Sequence, residues 1–406
     1  MIYVHIPFCR SFCTYCDFYS EIASRCCRNE QERFDSFASA LSAEIASYAG
    51  FDTKYSHQQL AADVNTLYIG GGTPSVLPLS VFDNIVKALE SNGFGGPYDE
   101  FTVEVNPDDI VEKGESYVEG LLRLGVNRIS MGVQSFDDDI LRWMNRRHDS
   151  AAARKAYAIL ENVGVDNISV DLIFGLSQLS DAQWADTLKK ALGISPSGAL
   201  PKHISSYQLS VEPGSALASM VDRGLWSEAS EELCAHQYDI LCSELRSAGY
   251  EHYEISNFAL PGYHARHNSA YWDHSQYLGL GPGAHGYLDG RRFWNNPSLE
   301  GYIQAAQSGD FEAVRGSEIL TEDQLVLERV MLGLRTADGV SEDFLRAHCS
   351  APELARAIAS GDLVPVSAAD TLAGGTHCPA PACDTCRLRI PESRFFISDA
   401  IISELV

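Results

Sequence analysis

Short runs of β-branched and aromatic residues alternate with stretches of helical periodicity through the first two-thirds of the chain. Ile2 to Ile6 reads as a strand. Phe34, Phe37, Leu41, Ile45 and Tyr48 fall on one stripe at helical spacing, which predicts a helix over 34–48. Thr66 to Ile69 reads as a strand that runs into Gly70-Gly71-Gly72-Thr73-Pro74, and a helix follows around Val81 to Leu89. Further strands are expected at 101–105, 128–133, 168–174 and 203–209, with helices between them. Repeated strand–helix units of this kind predict an α/β fold with a parallel sheet or barrel. The polar, chemistry-bearing residues stand at the strand ends: the glycines after Ile69, Glu104, Gln134 and Asp171. In α/β barrels that rim is where sites are built.

From about Gly301 the pattern changes. Helices are expected over 320–334 and 341–348, a small hairpin from Arg389-Ile390 and Phe395-Phe396-Ile397, and a last helix over 399–405. This predicts a compact α+β appendage, winged-helix-like. The stretch between Val366 and Arg387 is rich in Ala, Gly, Pro and Cys and reads as a surface insertion at a hairpin tip. The expected domains are 1–235, a connecting segment 236–300, and a C-terminal unit 301–406.

Composition narrows the function classes. Of 406 residues 45% are apolar, enough for a large core, and the net charge is −25. A surface that negative repels phosphate backbones, so no nucleic acid is expected as partner. No apolar run reaches the roughly 18–20 residues that span a bilayer. The start, Met1-Ile2-Tyr3-Val4-His5, lacks the basic and apolar pattern of a secretory signal. Eleven cysteines, odd in number and unevenly clustered, do not form the disulfide framework of a small secreted domain. A reducing cytoplasm with some cysteines kept as thiolate ligands is the expectation.

The strongest chemical signal is Cys9-x3-Cys13-x2-Cys16. Three thiolates on one short loop can hold three irons of a [4Fe-4S] cubane, leaving the fourth iron open. The amino and carboxylate groups of S-adenosylmethionine suit that open position, and an electron from the cluster then breaks a sulfur–carbon bond to give a 5′-deoxyadenosyl radical. The cofactors carry the hard chemistry and the protein supplies position and exclusion of water. The competing readings are a zinc site or structural thiols. Structural zinc is usually four-coordinate and closed, and no fourth ligand stands at an obvious spacing.

The run Tyr3-x-His5-Ile6-Pro7-Phe8-Cys9-x3-Cys13-x-Tyr15-Cys16-Asp17-Phe18 resembles the start of the radical S-adenosylmethionine family that contains the oxygen-independent coproporphyrinogen oxidases and the HemW-type haem chaperones. The resemblance extends to at least Gly286. It implies a partial (β/α)6 barrel with a C-terminal accessory domain. It also implies that Tyr3, Tyr15, the glycine loop Gly71-Gly72-Thr73, and Glu104 in Val103-Glu104-Val105-Asn106-Pro107 contact the S-adenosylmethionine site. Gln134, Arg146 and Asp171 complete the implied set. Taken alone, the glycine triplet is an ordinary turn, Glu104 and Asp171 are strand-end residues in solvent, and Arg146 belongs to a charged helix face.

Two places distinguish the branches. The oxidases carry a further cysteine just after the third, where this chain has Asp17-Phe18, and an extension ahead of the motif, whereas this chain begins two residues before Tyr3. His267-Asn268-Ser269-Ala270-Tyr271-Trp272 resembles the haem-binding signature of HemW-type proteins, with His267 as axial ligand and Tyr271 and Trp272 as flat faces for the macrocycle. Outside that context it reads as a core histidine beside two aromatics. The glycines in Tyr277 to Gly286 are expected to shape a wall of the cofactor pocket. Cys378, Cys383 and Cys386, with His377 adjacent, read as a lineage-specific loop with a usable ligand pair, and Cys26-Cys27 receives no role. The resulting expectation is a haem chaperone, monomeric or homodimeric. It passes haem to an acceptor protein, one at a membrane surface included, and needs an electron donor if the radical forms. The alternative is oxidative decarboxylation of coproporphyrinogen III.

Overall fold

A computed structural model describes residues 1–24, 29–48, 64–366 and 386–406. The expectations for Cys26, Cys27, His377, Cys378 and Cys383 lie outside the described residues.

The strands in chain order are β1 (Ile2–Ile6), β2 (Phe8–Cys9), β3 (Glu21–Ile22), β4 (Thr66–Gly71), β5 (Glu100–Val105), β6 (Arg128–Gln134), β7 (Ile168–Phe174), β8 (His203–Gln208), β9 (Glu251–Glu254), β10 (Asn257–Ala259) and β11 (Leu278–Leu280). One nine-stranded sheet runs β11-β1-β4-β5-β6-β7-β8-β10-β9. Its six central strands are parallel and in sequence order, each separated from the next by helix. The sheet is open: β11 extends it in parallel beyond β1, and β10 and β9 close the other side antiparallel. This is the expected partial α/β barrel.

Period-2 alternation explains which face does what. Val4, Ile69, Val103, Met131 and Val170 are fully buried and join the helices in one apolar core. The alternate positions are polar. Thr66, Tyr68, Glu100, Glu104, Arg128, Ser130, Ser169, Asp171, His203 and Ser205 lie on the opposite face, and several of them bond across strands. Ser130 Oγ meets Asp171 Oδ2 at 2.8 Å, and Ser169 Oγ meets His203 Nδ1 at 2.9 Å. The concave face is therefore a layer of polar groups, most of them bonded, with Arg128 Nε buried without a hydrogen-bond partner.

The helix Glu30–Tyr48 packs its Phe34, Phe37, Leu41 and Ile45 stripe into the core, as the periodicity predicts. Its Glu44 is fully buried yet accepts bonds from Gly281 N–H at 2.8 Å, Asn295 Nδ2 at 2.7 Å and Tyr302 Oη at 2.6 Å, with Arg315 at 3.1 Å. A buried charge persists when its lone pairs are all met, and this one ties the first helix to the segment that follows β11. That segment forms a second sheet of β12 (His285–Leu288), β13 (Arg291–Asn295) and β14 (Arg315–Ile319).

The C-terminal unit carries helices Glu322–Gly333, Glu342–His348, Ala351–Ser360 and Ser398–Leu405. The expected hairpin is corrected. Arg387–Arg389 pairs antiparallel with Val340–Ser341 and Val364–Pro365, while Phe395 to Ile397 belong to a 3-10 turn, Glu392–Ile397. Within that turn Phe395 is buried in the core, Phe396 is half-buried and Ile397 is exposed. The boundaries expected after residues 235 and 300 both fall inside helices, Glu231–Ser247 and Leu299–Ser308. Among the described residues no helix is long and apolar enough to cross a membrane.

Candidate functional site

A cavity of about 820 Å³ opens at the C-terminal ends of the parallel strands, within the size range of ligand pockets. Cys9, Cys13 and Cys16 line one side. Cys9 is placed by β2, which pairs with β3 and so closes the loop between them. The loop is sewn to its neighbours through backbone groups: Thr14 N–H to Met144 O at 3.1 Å, Leu217 N–H to Thr14 O at 2.8 Å, and Asn145 Nδ2 to Phe12 O at 2.7 Å. All three thiols are free of disulfides. Burial pushes Cys16 up to about 12, with the neighbouring sulfurs adding to the shift.

The glycine loop abuts this cysteine loop. Gly72 N–H donates to Ile6 O at 2.8 Å and Thr73 N–H to Phe8 O at 2.7 Å, and Thr73 Oγ1 lies 3.4 Å from Cys9 Sγ. A side chain at Gly72 would put its Cβ 2.7 Å from the Phe8 carbonyl and 3.1 Å from Cys9 Sγ. Gly71 adopts φ +110°, which L side chains rarely reach, and its absent Cβ leaves room for the His5 ring. The triplet is therefore dictated by close approach, beyond the needs of a turn.

Opposite the thiols lie two carboxylates. Glu104 accepts from Gly71 N–H at 3.0 Å and Tyr68 Oη at 2.7 Å. Burial, reinforced by Asp171, pushes its carboxyl up to about 7 against those bonds. Asp171 sits within β7 rather than at its end and is held by Ser130 and Ser169 at 2.8 and 2.9 Å. Burial raises it as well. A cavity wall with two crowded carboxyl groups attracts a cationic ligand.

Arg146 bridges the two sides. Its Nη1 points to Cys13 Sγ at 3.4 Å and its Nη2 donates to Asn106 Oδ1 at 2.5 Å and Gly132 O at 2.6 Å, while Nε is buried without a hydrogen-bond partner. Gln134 lines the cavity at the point where β6 and β7 slip register, between Gly132 and Gln134, and the residue takes φ +65°. Such a bulge re-aims a side chain at a site.

The structure gathers Tyr15, Gly71, Gly72, Thr73, Glu104, Gln134, Arg146, Asp171 and the three cysteines around this cavity. It does not bring Tyr3 there. The Tyr3 hydroxyl is 3.0 Å from His5 Nδ1, and His5 Nε2 is 2.8 Å from Tyr19 O, so Tyr3 braces the end of β1 on the same face as Tyr68, whose ring lies 6.1 Å from its own. His267 is also outside. It is 1% exposed, with Nδ1 at 2.8 Å from Thr66 Oγ1 and Nε2 at 3.0 Å from Tyr271 Oη. In this conformation both ring nitrogens are engaged by hydroxyls. Tyr271 is spent on that bond and Trp272 is half-buried, both away from the cavity. Nor do the glycines of 279–286 form a pocket wall: β11 lies at the sheet edge, and Gly281 serves Glu44.

Sequence reasoning missed Tyr68, Asn106, Tyr207 and Asn268, all at the cavity. Tyr68 shares a strand face with Gly70, and this alternation could have flagged it. Asn268 stands beside His267 on the helix Arg266–Trp272, where neighbours point about 100° apart, so only one of them faces the cavity.

Residues 3–191 match the radical SAM superfamily. The chain is 33% identical over 338 residues to the "Heme chaperone HemW" of Lactococcus lactis subsp. lactis, covering 83% of this chain and 82% of that protein. It is 34% identical over 345 residues to the protein of the same name in Bacillus subtilis, covering 84% of each. Its fold superposes on the coproporphyrinogen III oxidase HemN of Escherichia coli, a radical SAM enzyme, with TM-score 0.76 at 20% identity, over 99% of this chain and 89% of that one.

Proposed function

We propose, for a chain that belongs to the HemW-type family of the radical S-adenosylmethionine superfamily, that it binds haem and passes it to an acceptor protein. The observation that carries this reading is the extent of the likeness to proteins named heme chaperones, a third of positions over more than four-fifths of the chain.

In this reading Cys9, Cys13 and Cys16 hold a [4Fe-4S] cluster. Three ligands around single zinc would have sulfurs about 3.8 Å apart, given Zn–S bonds of about 2.3 Å. Among the described residues the one group of three ligand atoms within 4.8 Å of each other is elsewhere, so the thiol trio is spread more widely than one ion needs. S-adenosylmethionine lies against the Gly71–Thr73 loop, where missing side chains leave the cradle, with its cationic groups toward Glu104 and Asp171. When bound, the pair supplies one-electron cleavage of a sulfur–carbon bond. The chain's own residues hold and orient: Arg146 caps the Cys13 sulfur, Gln134 and Asn106 offer amide groups, and Tyr15 shields the thiols from water.

Haem capture on His267 requires the bonds to Thr66 and Tyr271 to open, at a cost of about 1–3 kcal/mol for the pair. The helix Arg266–Trp272 then becomes the element that changes between carrier states. Its N-terminal amides, at Arg266 and His267, rest on the Glu100 carboxylate at 2.8 and 3.1 Å, which gives the opening a fixed pivot.

The test uses anaerobically reconstituted protein. Titration with haem is expected to saturate near one equivalent, and an apo-haemoprotein added afterwards is expected to gain the haem absorption. Absence of binding overturns the proposal. So does accumulation of protoporphyrinogen on incubation with coproporphyrinogen III, S-adenosylmethionine and a reductant, which would make the protein an oxidase.

A further inference from the structure

Remote from the cavity, three residues that the proposed function does not use converge on one point. Cys242 comes from the helix Glu231–Ser247, His252 from β9, and Glu392 from the 3-10 turn of the C-terminal unit. Cys242 Sγ is 3.9 Å from His252 Nδ1, Glu392 Oε1 is 3.1 Å from the same nitrogen, and all three ligand atoms lie within 4.8 Å of each other.

We propose that Cys242, His252 and Glu392 form a zinc site that fastens the C-terminal unit to the end of the barrel. A catalytic relay would place the thiol and the carboxylate on opposite ring nitrogens. Here both approach Nδ1, the arrangement of donors around a shared ion. Around tetrahedral zinc, sulfur–nitrogen and nitrogen–oxygen edges run about 3.3–3.6 Å, and the distances of 3.9 and 3.1 Å bracket that range.

The surroundings match what orients metal ligands. His252 Nε2 lies 3.3 Å from Ile255 O, a carbonyl to which it can donate, and Tyr238 Oη holds the same carbonyl at 2.7 Å. The imidazole is stacked on Phe258 at 4.0 Å between centroids and edged by Phe395 at 5.0 Å, so its plane is fixed. Arg246 Nη2 grips the other oxygen of Glu392 at 2.5 Å and turns Oε1 inward. The His252 side chain is 4% exposed and that of Glu392 29%, leaving the solvent side of Glu392 for a water as fourth ligand. Binding zinc displaces the thiol proton of Cys242 to solvent.

The site is tested in the full-length, cluster-reconstituted protein, independently of haem. After incubation with Zn²⁺ and desalting, the parent is expected to retain one zinc more per chain than either Cys242→Ala or Glu392→Gln. Co²⁺ in place of Zn²⁺ is expected to give a thiolate-to-cobalt absorption that Cys242→Ala lacks. That absorption survives joint replacement Cys378→Ala, Cys383→Ala and Cys386→Ala. Arg246→Met, which frees only the orientation of Glu392, is expected to weaken zinc by about 10–100-fold. Full zinc content in either ligand variant overturns the site. Because Glu392 is partly exposed, its glutamine variant decides the matter even if Cys242→Ala fails to fold.

Discussion

The guanidinium of Arg146 sits 3.4 Å from the sulfur of Cys13, although 132 residues lie between them in sequence, and the same group donates to Asn106 and Gly132. A cationic donor on a ligand thiolate withdraws charge from it and stabilises the more reduced centre. Arg146→Met is therefore expected to make the proposed cluster harder to reduce, seen as a more negative midpoint in an anaerobic redox titration. It also strands the Asn106 and Gly132 acceptors, costing about 1–3 kcal/mol each in folding stability if water does not replace them. An unchanged midpoint would detach Arg146 from the cluster.

Glu104 sets a pH dependence. Its carboxyl is pushed up to about 7 chiefly by burial, so below that pH it holds a proton and no longer attracts an ammonium or sulfonium group. Affinity for S-adenosylmethionine is expected to fall as pH drops below about 7. In Glu104→Gln it should be about 10–100-fold weaker at pH 8, the worth of a charge-assisted hydrogen bond of about 1.5–3 kcal/mol, and nearly flat with pH. Anaerobic calorimetry at pH 6 and 8 reads both. For the ligand-free fold the sign runs the other way. A raised carboxyl contributes stability that is complete below the unfolded value near 4.5 and is lost as pH rises through 7. Glu104→Gln should therefore melt higher than the parent at pH 8 without ligand.

Acid lability follows from the polar interior. Burial is the leading cause that lowers His203 and His267 well below the ordinary histidine value and takes His148 to about 3. The unfolded chain protonates its histidines near pH 6.5 while the folded chain refuses them. Their contribution is thus complete above about 6.5 and is lost as pH falls through the folded values, by up to about 1.4 kcal/mol per pH unit for each buried ring. Urea midpoints measured at pH 7.5 and 5.5 should drop, and His203→Gln should shrink that drop. An equal drop in the variant would remove His203 as a source.

Glu44 ties the first helix to the segment after β11 through four bonds. Glu44→Ala leaves Gly281, Asn295, Tyr302 and Arg315 without their acceptor and is expected to cost about 3–5 kcal/mol. Chemical denaturation at pH 7.5 would show it, and a loss under 1 kcal/mol, on the order of a surface pair, would contradict the buried network.

The alternation of apolar runs with helical stripes determined the six-stranded parallel core, because each period is a local property that burial of one face then enforces. The cysteine spacing and the glycine triplet marked one end of the site for the same reason: both act within a few residues. Other features were decided only by the packing of distant elements. His267 and Asn268 belong to one motif, yet the seating of their helix against β4 buries the first on Thr66 and turns the second to the cavity. Gln134 lines the cavity at a register slip between two strands, and Tyr3, beside Tyr68, spends its hydroxyl on His5. His252 meets Glu392 across 140 residues of sequence, with Cys242 beside them. Spacing along a chain fixes which residues share a face; which faces meet is a global minimum over all of them, and no local pattern contains it.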